Sequence, residues 1–128
     1  PLSGLLDGTA GGVCGIEHIL GILSSGEYAL CGIGSHVNEL VMGGVDEVEL
    51  AAIWQTHPVL VKLRHGLPGE LQGICGACLM KAACRGSCVA ANYKESGNLF
   101  SPHWFCRQAA EQGLFPASRR CPLHLDEK

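Results

Sequence analysis

Five of the eight cysteines fall between Cys75 and Cys106, in the stretch CGACLMKAACRGSCVAANYKESGNLFSPHWFC. Cys75, Cys78, Cys84 and Cys88 are spaced Cys-x2-Cys-x5-Cys-x3-Cys, and Cys106 follows after a gap. Two thiols two residues apart can grip one metal from a single tight turn, and two more close by turn that grip into a chelating knot. Four Cys thiolates are the usual ligands of an iron–sulfur cluster and a frequent set for structural zinc. Spacing alone leaves three readings of eight cysteines open: disulfides in a secreted scaffold, zinc sites, or one or two iron–sulfur clusters. Disulfides need an oxidising compartment, and no basic-then-apolar leader marks the chain for export, so a cytoplasmic location is expected. Zinc ribbons pair two short Cys-x2-Cys knuckles, which Cys-x5-Cys-x3-Cys matches poorly. The spacing favours clusters.

Other chemistry has thinner support. None of the six histidines stands in a paired ligand spacing. His18 reads as a hairpin surface residue, His57 as a loop residue before Pro58, and His65 as a helix-end residue. His103, just before Cys106, is the best candidate to support a ligand without being one. Trp54 and Trp104 read as core. Arg85, next to Cys84, either offsets cluster charge or is solvated. Asp46, Glu47 and Glu49 read as helix-start charges rather than an acid/base pair. No Ser-His-Asp set, phosphate loop or pair of catalytic carboxylates stands out.

The elements that must hold these thiols are short. The chain has 128 residues, enough for one domain, with 18 glycines and 5% aromatic residues, so a small, loop-rich core that needs staples is expected. A net charge of −3 argues against a nucleic-acid partner, and the longest apolar run is too short to span a bilayer, so no membrane partner is expected. Residues 1–13 read as a flexible Gly-rich lead-in. A β-hairpin is expected over 16–34, with strands His18–Leu23 and Glu27–Ile33 about a Ser24-Ser25-Gly26 turn; Cys14 must curl back past it to meet Cys31. Asn38–Met42 reads as a third strand, with Gly43-Gly44 as its turn. Helices are expected over 46–56, capped by Asp46 with Val48, Ala51, Ala52 and Ile53 on one face, and over 58–65. Two more are expected, from Cys84 to about Glu95 and from Pro102 to about Gln112, stopped by Gly97 and Gly113. The N-terminus of the first would point amides at the sulfurs, and the backbone amides around Gly76 and Gly86 are candidate donors to them. Residues 114–128 read as a mobile tail. The fold class is α+β: a small N-terminal hairpin, then short helices and Cys-rich loops wrapped around two iron–sulfur clusters.

Upstream, Cys14, Gly26 and Cys31 stand as Cys-x11-Gly-x4-Cys, ahead of the downstream group. The combined pattern resembles the SPASM domain, the auxiliary-cluster domain at the C-terminal end of many radical S-adenosylmethionine enzymes, over residues 14–113. The resemblance implies two [4Fe-4S] clusters with interleaved ligands: Cys14, Cys31 and Cys88 on the first, and Cys75, Cys78, Cys84 and Cys106 on the second. It further implies electron transfer or substrate binding by these clusters, a radical S-adenosylmethionine core domain as partner, and a peptide or protein substrate reached through the parent enzyme. Two departures stand out. The first cluster has three matched ligands; Cys121 is the spare thiol, a fourth ligand or a free cysteine, or else the fourth iron is open. The catalytic Cys-x3-Cys-x2-Cys is missing, since Ala91 stands where its third Cys would follow Cys84 and Cys88. S-adenosylmethionine therefore belongs only to a core domain outside this sequence, and the chain, which begins at Pro1, reads as part of a longer enzyme or a detached cluster domain with no catalytic residues of its own.

Overall fold

A computed structural model describes residues 14–122; the lead-in expected over 1–13 lies outside them. The fold is α+β. Three short antiparallel strands in the order β1-β2-β3 form the sheet: β1 Gly21–Ile22, β2 Glu27–Ala29 and β3 Val41–Gly44. Gly21 pairs with Ala29 and Ile22 with Tyr28. The hairpin turns where expected. The Leu23 amide donates to Glu27 O and the Gly26 amide to Leu23 O, both at 2.9 Å, and Gly26 takes φ +82, a conformation open to glycine at no steric cost.

The strands are shorter than expected. Ile16–His18 and Ile33–His36 are single 3-10 turns, because the glycines around them let the chain bend rather than extend. The third strand is shifted. Asn38–Leu40 is a 3-10 turn, and the strand runs on through Gly43 and Gly44, with Gly44 paired to Glu27. The reversal follows at 45–47, where the Glu47 and Val48 amides both bond Gly44 O. That delays the next helix. α1 is Leu50–Thr56 with Glu49 at its N-cap, not a helix from Asp46, and Ala51 and Ala52 face solvent while Ile53 is buried.

α2, Pro58–Gly66, starts with Pro at its first position, where the missing N–H costs nothing. α1 and α2 place Ile53, Leu60 and Leu63 against Leu30, Leu40 and Met42 of the sheet side. Leu30, Leu40, Leu60, Leu63 and Val89 are the largest fully enclosed side chains. This core is the platform for the cysteine-bearing half: α3 Gly73–Gly76, α4 Lys81–Cys84, α5 Val89–Ser96 and α6 Trp104–Glu111.

The helix expected from Cys84 to Glu95 is broken. α4 ends at Cys84, and Arg85, Gly86 and Ser87 take φ of +51, +83 and +59. Two non-glycine residues in the left-handed region persist only where the surroundings hold them. Here Arg85 N–H donates to Lys81 O and Ser87 N–H to Cys84 O, while Asn92 Nδ2 donates to Gly86 O from inside the core. Gly86 suits its place, since φ +83 disfavours other residues and a Cβ there would stand 2.9 Å from Leu71 Cδ2. α5 therefore begins after Cys88, its N-cap, and ends at Gly97 with φ +68.

Of the tail expected over 114–128, residues 123–128 lie outside the described residues, and residues 114–122 pack against the body. Phe115 is buried, and the Leu79 amide donates to Arg119 O at 2.8 Å. Among the described residues no helix is long and apolar enough to cross a membrane.

Candidate metal centre

Cys75 sits in α3, Cys78 just after it, Cys84 at the end of α4 and Cys106 in the first turns of α6. α3 lies against α6, which carries Cys106 back over the Cys75–Cys84 loop. All four thiols line one cavity of about 60 Å³, together with Leu71, Met80, Lys81, Gly86, Phe115 and Arg119. Cys75 is the innermost of them, 7% exposed.

Two sulfurs accept backbone N–H donors. His103 donates to Cys75 Sγ and Met80 to Cys78 Sγ, each at 3.4 Å. His103 thus supports a cysteine through its backbone. Gly76 and Gly86, the donors expected from the sequence, do not fill that role among the described residues: the Gly76 amide is bonded to Gln72 O. Nothing in the local sequence marks Met80 as a donor.

Three of the thiols, Cys75, Cys106 and Cys14, are held back from ionisation. Burial pushes Cys75 up to about 11, with the neighbouring Cys106, Cys84 and Cys78 adding to the rise and the His103 amide opposing it. Cys106 is raised by burial and then by Cys84 and Cys78, while Arg119 and a hydrogen bond with Cys75 act the other way. Cys14 is raised by burial, then by Cys31 and Cys88, against the Ile16 amide. Like charges in close company disfavour one another, so these couplings trace two groups of thiols. One is Cys14, Cys31 and Cys88; the other is Cys75, Cys78, Cys84 and Cys106. Cys84 and Cys88, four residues apart, fall into different groups because the left-handed linker between them reverses the chain. The helical rise expected between them is absent. The N-terminus of α5 stands at Cys88, a member of the first group, and not at Cys84 as expected.

Cys121 stands on the side of the second group. Its amide donates to Ala77 O at 2.7 Å, next to the antiparallel pairing of Cys78 with Arg120. None of the eight cysteines is in a disulfide. Among the described residues, no three His, Cys, Asp or Glu side chains converge closely enough to hold a single metal ion.

Four thiols around one cavity are a donor set that both zinc and an iron–sulfur cluster can use. Four thiolates on one zinc, each at about 2.3 Å, require sulfurs roughly 3.8 Å apart. A cluster spreads its iron atoms, each taking its own thiolate, and tolerates wider sulfurs. Bound metal would also hold the thiols deprotonated, removing the mutual repulsion that raises them.

The remaining candidates fall elsewhere. Arg85, its side chain 34% exposed, is paired with Glu17, donating from Nη2 to Oε1 at 2.6 Å. Trp54 is half-buried under the Arg64 guanidinium, 4.2 Å from the ring centroid. Trp104 is 43% exposed and so not a core residue. His18 and His65 are exposed; half-buried His57 joins α1 to α2, where burial lowers its pKa. Phe115 and Arg119, both on the cavity wall, went unread in the sequence. Phe115-Pro116 after a glycine stop was the available signal, an aromatic in a chain that has few. No family model, curated protein or solved structure matches the chain.

Proposed function

We propose that this chain is an iron–sulfur module of the SPASM type, the auxiliary part of a radical S-adenosylmethionine enzyme that modifies peptides or proteins. Cys75, Cys78, Cys84 and Cys106 hold one [4Fe-4S] cluster; Cys14, Cys31 and Cys88 hold a second. The carrying observation is the single cavity walled by four cysteines from three helices and a loop, with Cys88 grouped apart from Cys84. That split is the interleaving the resemblance implies. Bound clusters supply one-electron chemistry, with potentials set by net charge, hydrogen bonds to sulfur and exposure. The chain's own part is to position the thiolates, donate the His103 and Met80 amides, and bury the second site beneath Phe115.

With three thiols in the first group, and Cys121 tied beside Cys78 on the side of the second, one iron of the first is left to another ligand or to substrate. A cytoplasmic setting, with a core domain as partner, goes with this reading because a reducing compartment keeps thiols available.

Anaerobic reconstitution of the full chain tests it. A brown protein with about eight iron and eight sulfide per chain is expected. A colourless product that takes up zinc in preference to iron rejects the reading and installs a zinc-stabilised binding module in its place.

A further inference from the structure

The segment after α6 is tied down at several points. Gly113, at φ +72, turns the chain, and the Leu114 and Phe115 amides both bond Ala109 O, at 2.7 and 3.0 Å. Phe115 is then buried, with the Arg120 guanidinium 5.9 Å from its ring centroid. Beyond Pro116 the chain makes a turn at Ala117–Arg119 and pairs with the cysteine loop. Leu79 N–H bonds Arg119 O, Cys78 bridges to Arg120, and Cys121 N–H bonds Ala77 O. These ties put Phe115 and Arg119 on the wall of the cavity that Cys75, Cys78, Cys84 and Cys106 share. The cavity's other cation, Lys81, is committed to the backbone, donating from Nζ to Gly76 O at 3.1 Å.

We propose that residues 114–122 are a strap closing the second thiol group, and that Arg119 is a positioning residue whose guanidinium offsets the negative charge gathered there. The proposal rests on the cluster reading above. Reduction adds one negative charge to an already anionic group of thiolates and metal. A fixed cation beside it favours the reduced form and raises the potential, and a guanidinium keeps its charge at any working pH. The strap also limits solvent at the sulfurs, which acts on the same potential.

The test compares R119Q, R119K and the wild-type full chain after reconstitution. Iron and sulfide are counted first, and each cluster is then titrated potentiometrically with EPR detection. R119Q is expected to keep both clusters and lower one potential, so that the reduced-to-oxidised ratio at fixed potential falls about tenfold, or about 59 mV for one electron. R119K should stay near wild type. R107Q, which removes a cation paired with Glu95 and Glu111 away from the cavity wall, should change nothing. Loaded clusters with an unmoved potential in R119Q overturn Arg119's role alone; a wild-type chain that takes up no iron removes the cluster reading as well. If R119Q does not load, R119K decides: loading at wild-type potential supports the charge role, and equal failure overturns it. Hydrogen exchange at the Leu79 and Cys121 amides reports the strap separately. Protection is expected, and exchange at the rate of an open chain overturns it.

Discussion

Arg85 and Glu17 stand 68 residues apart in the chain and meet through a guanidinium–carboxylate hydrogen bond of 2.6 Å. Glu17 lies in the turn just after Cys14, and Arg85 directly follows Cys84 in the linker to Cys88. A second contact runs from Arg85 Nη2 to Leu67 O at 3.5 Å. The pair therefore fastens the lead into the sheet to the reversal that separates the two thiol groups. With Glu17 8% exposed, it is screened less than a surface ion pair.

Breaking that pair should cost stability and loosen the first thiol group. A double-mutant cycle on E17Q and R85Q is expected to give a coupling of about 1–2 kcal/mol, between surface and buried pairs. Urea denaturation of the metal-free chain measures it. A coupling within error of zero would mean that the contact does not hold the linker.

Cys84 and Cys88 should fail separately. C84S is expected to remove one cluster's worth of iron and spare the EPR signal of the other, and C88S to do the reverse. A ligand pair on one shared site would instead lose the same signal in both variants.

In the metal-free protein Cys75 should be the slowest thiol to alkylate. With its pKa pushed up to about 11 from 9.0, its thiolate fraction near pH 8 is about a hundredfold below that of an ordinary cysteine. The sign for folding follows from the same shift. The raised pKa favours the protonated thiol in the folded state, so this contribution is fully present below about pH 9 and lost as pH rises towards 11. Mass-spectrometric alkylation rates and denaturation at a series of pH values test both, and rapid alkylation of Cys75 at neutral pH would contradict its burial.

Gly66→Ala should destabilise the chain although Ala is the better helix former. A Cβ at residue 66 would overlap the ring of Phe100, and overpacking of this kind costs about 1–3 kcal/mol. The exposed Gly32→Ala, whose Cβ meets nothing within 4 Å, serves as control. Thermal denaturation should lower the midpoint for Gly66→Ala alone.

The elements with local signals were legible in the residues. Gly26 announced the hairpin turn, Pro58 the start of α2, and Gly97 and Gly113 the ends of α5 and α6, because each depends on the backbone conformation one residue allows: free in glycine, fixed in proline. The α+β class followed from the same signals. What misled was continuity: Asp46 looked like a cap and residues 84–95 like one helix. Hydrogen bonds from the Glu47 and Val48 amides to Gly44 O, and the hold of Asn92 on Gly86, outweighed those propensities.

Which thiols stand together is a different kind of property. The sequence alone determined how many there are and how tightly they are spaced. Spacing did not separate Cys84 from Cys88 or join Cys106 to Cys75, a grouping that only the family resemblance implied; the tertiary structure supplies the chain reversal and the fold-back behind it, and lays Phe115 and Arg119 on the same cavity wall. Local spacing is set by the covalent chain, whereas these meetings depend on left-handed residues at 85–87 and on pairings between segments about forty residues apart, which no short window of sequence contains.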